Sequence, residues 1–493
     1  MAPKSTRSCG RSVGVCLFVM LIGLFAPAVL ATVFYVDAAA PNDSGKGSES
    51  SPKKHVSSGL RLLSRNGGDT LVIRNGRYEH PLDAISRSTP LFNGTSSKPN
   101  AIVAAADGGV VVTAGLDLPL ATAFVTFEGI KWDGRMAKSV AGRDIKFLRC
   151  AFKDGASKGN NATLTIGTND QLPGASRILL EDSWVYGQGG RYRLLVYNAE
   201  KVILRRVVVR HDGGWEFDGR NPQGGISIYN TQRVELQNVL LIDNDLELPG
   251  WEAALYLVRN PGKGTFDRHV GTRIRGSMVF NTRQRAIGVE GWGRVEDAVL
   301  DNVLIWKAGY GLSLNNDAHQ VSVKQATVAQ IKGPAFAIWG RQPSRLEITQ
   351  SLIHDAQDAF HADAGTIDGE FNACSRTRNC TLPRSMFLNA LTSGLVYPPR
   401  LEMGSRLRMA GPAGTPVGAI VEKVIGKSAS MHGDAGFDAT TTEPLWPWPL
   451  EQRIKRDLCE DQPSRGICAG KLTISDYVWS QMGNVPGSAN ATR

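Results

Sequence analysis

The sequence predicts an all-β solenoid, a parallel β-helix with three short strands per coil, and three observations carry that prediction. The first is a degenerate repeat. The segments RILLEDSWVY (177–186), KVILRRVVVR (201–210) and RVELQNVLLI (233–242) align as an alternating apolar strand, a two-residue polar corner and a second apolar strand. The second is the spacing. The residue just past the corner recurs at Ile130, Cys150, Ser183, Val207, Val239, Ser277, Val303, Ala326 and Ser351, at intervals of 20, 33, 24, 32, 38, 26, 23 and 25. A floor with longer excursions is the pattern of stacked coils carrying loop insertions. The third is a further strand in each coil, at 194–197, 226–229, 255–258, 287–290, 312–315 and 336–339. No interval leaves room for a helix between them, which excludes leucine-rich and helical repeats.

The elements follow in order. Lys4, Arg7 and Arg11 precede an apolar run at 13–31 that ends in small residues. This reads as a secretory signal peptide over 1–31. Its removal leaves a net charge near +7 from the +10 of the whole chain. Residues 32–69 read as a strand, Phe34-Tyr35-Val36-Asp37, and an amphipathic helix over 53–64 with Val56, Leu60 and Leu63 on one face. That helix is expected to cover the open end of the solenoid, where apolar surface and strand edges would otherwise face water. Coils are expected over 70–366. Residues 367–493 hold the pairs Cys374/Cys380 and Cys459/Cys468, the cluster Leu445-Trp446-Pro447-Trp448-Pro449 and two short helices. They read as a cap that folds back along the coils. Export makes two local disulfides plausible. Cys150, at a corner, reads as a buried stacking residue.

The three-strand coil with Asn or Ser at the tight corner resembles the pectate-lyase-like right-handed β-helix superfamily. The opening FYVDAAAPNDSGKGSESSPKKHVSSGLRLLSRNGGDTLVIRNGRY is similar to the N-terminal cap of its secreted bacterial members. The resemblance spans 34 to about 366. It implies a right-handed solenoid and a choice among polysaccharide lyases, glycoside hydrolases, epimerases, esterases and adhesive or phage-tail proteins. It also implies a groove on the outer face of the third strand, walled here by the long excursions 211–224, 243–253 and 259–272.

Side chains alternate along a strand. With Ile226 and Ile228 inward, the outward column reads Leu195/Tyr197, Ser227/Tyr229, Tyr256/Val258, Gly288/Glu290, Ser313/Asn315 and Ala337/Trp339. Coils stack about 4.8 Å apart, close to the length of one sugar residue. Aromatic rings stack on sugar faces and polar tips bond hydroxyls. Tyr197, Tyr256, Glu290, Asn315 and Trp339 are therefore candidate glycan-binding residues, with Arg193, Arg220 and Arg259 as carboxylate-binding partners. The same column could instead only stabilise the stack. For β-elimination on a uronic-acid glycan, His211 could serve as base, Arg283 or Arg285 as neutraliser and Tyr229 as acid. Asp212, Asp243 and Asp245 could hold calcium as the neutraliser.

Hydrolysis needs two facing carboxyl groups. Asp243, Asp245, Glu252, Glu290 and Asp317 are the candidates. The Gly-His-Gly of polygalacturonases and the Arg-x-Pro-x-x-Arg of one pectate lyase family are absent from the sequence. So are phosphate-loop, HExxH and nucleic-acid motifs. The expectation is a secreted, monomeric protein with no nucleic-acid or retained membrane partner, acting on an acidic polysaccharide as a lyase. A non-catalytic glycan-binding or adhesion protein and a glycoside hydrolase are the alternatives.

Overall fold

The computed structural model describes residues 31–482 apart from 137, 169–171, 263–265, 388–400, 402–404 and 471. Residues 1–30 of the expected signal peptide lie outside the described residues. Two long parallel ladders dominate. One sheet of 13 strands runs from Val33–Val36 to Thr366–Asp368. A second, of 21 strands, carries both the strand after each corner and the third strand of each coil. The two sets merge where Thr327–Trp339 and Leu352–Ala362 run through without a break. Successive strands of one ladder are one coil apart in sequence and parallel, as in Ile145, Ile178 and Val202. Such crossovers are right-handed. The chain is a right-handed parallel β-helix, and no helix among the described residues is long and apolar enough to cross a membrane.

Register sets the core. Leu194, Ile226, Leu255, Ile287, Leu312, Phe336 and Phe360 stack in one inward file. All are buried, and each fully buried side chain of this kind is worth roughly 1.5–3 kcal/mol. The polar corner has a backbone reason. Asp182, Arg206, Asn238, Asn302, Gln325 and Gln350, each just before the corner residue, have φ between 50° and 57°. That left-handed turn lets one strand meet the next without a loop, and Asn and Asp tolerate it better than most residues. Just past the corner, Ser183, Ser277 and Ser351 accept from the backbone N–H of Cys150, Val239 and Ala326 at 3.0–3.1 Å. Cys150 itself is buried and unpaired in disulfide terms, as a stacking residue should be.

The coil stack begins earlier and ends later than the 70–366 that the repeat suggests. Val33–Val36 already pairs with Thr70–Ile73, and Ala373–Ser375 and Met386–Phe387 extend the second sheet. Residues 37–69 are thus a long insertion within the first coil. Its helix is shorter than expected, Val56–Leu60, but it does lie over the end of the stack. Gly59 sits so close to Val36 that a Cβ would meet it at 2.3 Å.

The C-terminal segment returns along the corners. Ile420 bonds Asn302, Ile425 bonds Asn238, Lys427 bonds Arg205, Ala429 bonds Glu181 and His432 bonds Arg177. The strap therefore runs from the C-terminal coils back toward the N-terminal ones. Helices Glu451–Cys459 and Ile474–Gln481 then pack Trp446, Trp448, Ile454, Leu458, Tyr477, Val478 and Trp479 onto Trp184, Tyr186, Val208, Leu240, Met278 and Trp306. Both cysteine pairs are disulfides, Cys374–Cys380 and Cys459–Cys468. Cross-linking a short loop stabilises by about 2–3 kcal/mol. Cys459→Ser/Cys468→Ser is expected to make 451–482 the first segment cut in limited proteolysis. An unchanged cleavage order would show that the disulfide does not secure the clasp.

Candidate active site

The expected base lies under that strap. His211 is 1% exposed. Its Nδ1 accepts from the Gly213 N–H at 3.1 Å, and its carbonyl accepts from Arg465 at 3.1 Å. Trp251 packs edge-on against its ring at 5.2 Å. Burial, then Arg193 and Arg465, push its pKa well below the ordinary imidazole range. It is a neutral interior residue with no open path to a sugar carbon, so the expectation that it is a base in an open groove is corrected.

The proposed calcium ligands converge on a guanidinium instead. Arg465 bonds Asp212, the Asp243 carbonyl and Asp245, the last at 3.0 Å. The Asp243 carboxylate is taken up by Tyr477 Oη at 2.5 Å, Asn281 Nδ2 at 3.0 Å and the Ile467 N–H at 3.1 Å. A Cβ on Gly466 would stand 1.9 Å from the same carboxylate. Among the described residues no group of three or more His, Cys, Asp or Glu could hold a metal ion. The chain supplies a cation for Asp212 and Asp245 and neutral donors for Asp243.

The expected basic surface is largely internal as well. Arg193 is fully buried and donates to the Gly187 and Gly190 carbonyls at 2.8 and 2.7 Å. Arg259 bonds Asn230 and the Asp267 carbonyl. Arg283 faces away from the groove strand and pairs with Glu247 at 2.9 Å. Arg220 sits exposed in its loop, where Asp218 accepts from its backbone N–H. Guanidinium groups near turns satisfy stray carbonyls, which composition does not distinguish from ligand binding. Tyr197 and Tyr229 pack edge-to-face at 5.2 Å, and the Tyr229 hydroxyl accepts from Asn260 at 2.7 Å. They lie on coils N-terminal to the residues that do converge.

Those residues are Arg285, Glu290, Asn315 and Trp339, joined by Glu252, Gln284, Tyr310, Asn316 and Gly340 around a cleft of about 470 Å³. Register builds it. Arg285 opens its strand opposite Tyr310, Glu290 is the last residue but one of the same strand, and Asn315 lies opposite Trp339 on the coils that follow. Arg285 forms the floor at 13% side-chain exposure. Its Nη1 meets Glu290 at 3.0 Å and its Nη2 meets Glu252. Turned with its oxygen toward Arg285, the Asn315 amide accepts from the guanidinium and donates to the Leu314 carbonyl at 3.1 Å. Asn316 donates to the other Glu290 oxygen at 3.3 Å.

One guanidinium thus holds two carboxylates, both open to the cleft at 41% and 29% side-chain exposure for Glu252 and Glu290. Sharing one guanidinium brings the two carboxylates together at the cleft, and a pair of carboxyl groups is what hydrolysis of a glycosidic bond needs. Tyr310 and Trp339 form the wall, edge-to-face at 6.2 Å, and Trp339 packs on His361 at 4.2 Å. Tyr256 lies beneath, 1% exposed, with the Arg285 guanidinium 5.8 Å from its ring centre and its hydroxyl without a hydrogen-bond partner. Tyr310 was open to detection from the sequence, since it starts the next strand in the same register as Arg285.

No protein-family model matches the chain, and no curated protein matches it. Several solved structures are similar to the chain. A pectate lyase, Pel9A, is similar at 15% identity and TM-score 0.42, over 79% of this chain and 96% of that one. XylC in complex with xylose is similar at 8% identity and TM-score 0.49, over 72% and 86%. A mannuronic acid specific family 6 polysaccharide lyase from human gut microbiota is similar at 12% identity and TM-score 0.41, over 74% and 93%.

Proposed function

We propose that the chain is a secreted glycan-active enzyme that hydrolyses a glycosidic bond between Glu252 and Glu290. The observation that supports this reading is the pair of carboxylates held on the two terminal nitrogens of Arg285 in an aromatic-walled cleft. Glu290 takes donors from Arg285 and Asn316, which suits an acceptor that activates water or attacks the sugar carbon. Glu252, more open and facing it, suits the acid that protonates the leaving oxygen. Tyr310 and Trp339 would stack on sugar rings. Two carboxylates against one guanidinium favour a neutral sugar over a uronate at the point of cleavage. The apolar run at 13–31 and the two disulfides support export to an oxidising compartment.

Elimination is the second reading, and one contact favours it. Arg285 at the cleft floor touches Glu290 at 3.0 Å, the arrangement of a neutraliser beside a carboxylate base. Incubating the secreted protein with xylan, arabinan, polygalacturonate and alginate separates the readings. New reducing ends without an ultraviolet-absorbing unsaturated product support hydrolysis, and an unsaturated product supports elimination. Retention on a polysaccharide with no product would leave a glycan-binding protein.

A further inference from the structure

Trp292 is the residue that the cleft does not explain. It stands at the end of the Glu290 strand, in the turn Gly291-Trp292-Gly293, and is 76% exposed. A single exposed apolar side chain is ordinary on a protein surface; what sets Trp292 apart is how it is held. Its mounting is rigid. Gly291 has φ +140°, and a Cβ there would come within 1.9 Å of the Arg259 carbonyl. A Cβ on Gly293 would meet the Arg259 side chain at 2.8 Å and Pro261 at 3.1 Å. The two glycines let the turn press onto the preceding coil, and that close fit holds the indole outward.

We infer that Trp292 is an outlying sugar-stacking subsite, which holds a glycan where it leaves the cleft past Glu290. The inference rests on the glycan reading of the cleft. Trp339 lies two coils beyond Glu290, about 10 Å along the axis, or some two sugar residues. Trp292 lies two residues past Glu290 along the strand, to one side of the file Trp339, Asn315 and Glu290, beside the coil of Arg259. A glycan that crosses the carboxylates and turns aside from the axis past Glu290 meets this second aromatic face. The surroundings suit a sugar better than a protein. Exposed Arg294 and Asn316 lie nearby in sequence and register, and no other exposed large apolar residue shares that turn. A stable protein interface needs on the order of 1,000 Å² with an apolar centre. One ring edged by polar groups fits the apolar face and hydroxyl rim of a pyranose.

The test uses Glu290→Gln, which keeps the cleft but not the proposed chemistry, in native gels containing xylan, arabinan, polygalacturonate or alginate. The polysaccharide that retards Glu290→Gln is expected to retard Glu290→Gln/Trp292→Ala less, with an apparent Kd about three- to tenfold higher. Trp292→Phe is expected to restore most of the retardation, because a phenyl ring still stacks. Melting temperature is expected to stay the same, since the side chain is exposed. Equal retardation with and without Trp292 overturns the inference. So does a Phe variant as weak as Ala, which would point to a purely structural role. If the wild-type chain still releases reducing ends in either case, the cleft reading stands and only the subsite falls. If no polysaccharide retards Glu290→Gln, the subsite is overturned outright, and wild-type product release again decides the cleft reading separately.

Discussion

Glu290→Gln lowers turnover on the cleaved polysaccharide by about 10²–10⁴-fold, the range for removing a positioned acid or base. The amide is isosteric: its oxygen can still accept from Arg285, and with the Asn316 amide turned its NH2 can donate to Asn316, so the cleft should keep its shape and its glycan affinity. Glu252→Gln is expected to lose turnover too, but less on substrates with a good leaving group, because an acid matters least there. That split between the two variants follows from their places in the cleft. Glu290 is the more enclosed and has two donors, whereas Glu252 is more open and is held by Arg285. Equal and small losses would remove both residues from the chemistry.

Glu181→Ala is expected to cost about 3–5 kcal/mol, the penalty for leaving a buried ion without its partner. That is a large share of the roughly 5–15 kcal/mol that holds a typical domain together. Glu181 is 1% exposed and accepts from Arg205 and Arg206 at 2.7 Å each, Ser428 at 2.6 Å and the Ala429 N–H at 3.0 Å. It thus ties two coils to the strap, and Arg205 is wholly buried without it. Burial alone raises its pKa, but Arg206, Ser428 and Arg205 together outweigh burial and leave it below the ordinary carboxylate value. The sign follows. The folded state holds the proton less tightly than the unfolded one, so this stabilisation is complete above about pH 4.3, the unfolded value. It is lost as pH falls through the folded value. Denaturant titrations at descending pH should show a steeper loss for the wild type than for Glu181→Gln. Parallel slopes would contradict the role given to Glu181.

The coils were legible because each polar corner and each alternating strand leaves a local mark, and nine corners repeat the message. Glu290, Asn315 and Trp339 were legible for the same reason, since period two places them outward on one sheet. Arg285 and Tyr310 share the parity of the inward Ile287 and Leu312, so extending the outward column misses them; strict alternation fails at these strand starts, where Ala286 joins the core and Arg285 reaches the cleft. His211, Asp212 and Asp243 misled because their polar pattern is real but its partner is remote. Arg465 and Tyr477 approach from more than 200 residues away in sequence. Alternation along a strand tells which face a side chain takes, but not what later covers that face. The aromatic cluster in the C-terminal segment was the available hint, because Trp446, Trp448 and Trp479 need an apolar surface to lie on.

The most direct test of hydrolysis at the Glu252–Glu290 cleft is the mass of the products formed in heavy-oxygen water. Hydrolysis places one labelled oxygen at the new chain end, and Glu290→Gln should form little of that product. An unlabelled product lighter by one water, with an unsaturated sugar at its end, would contradict the account and make the chemistry an elimination with Arg285 as neutraliser.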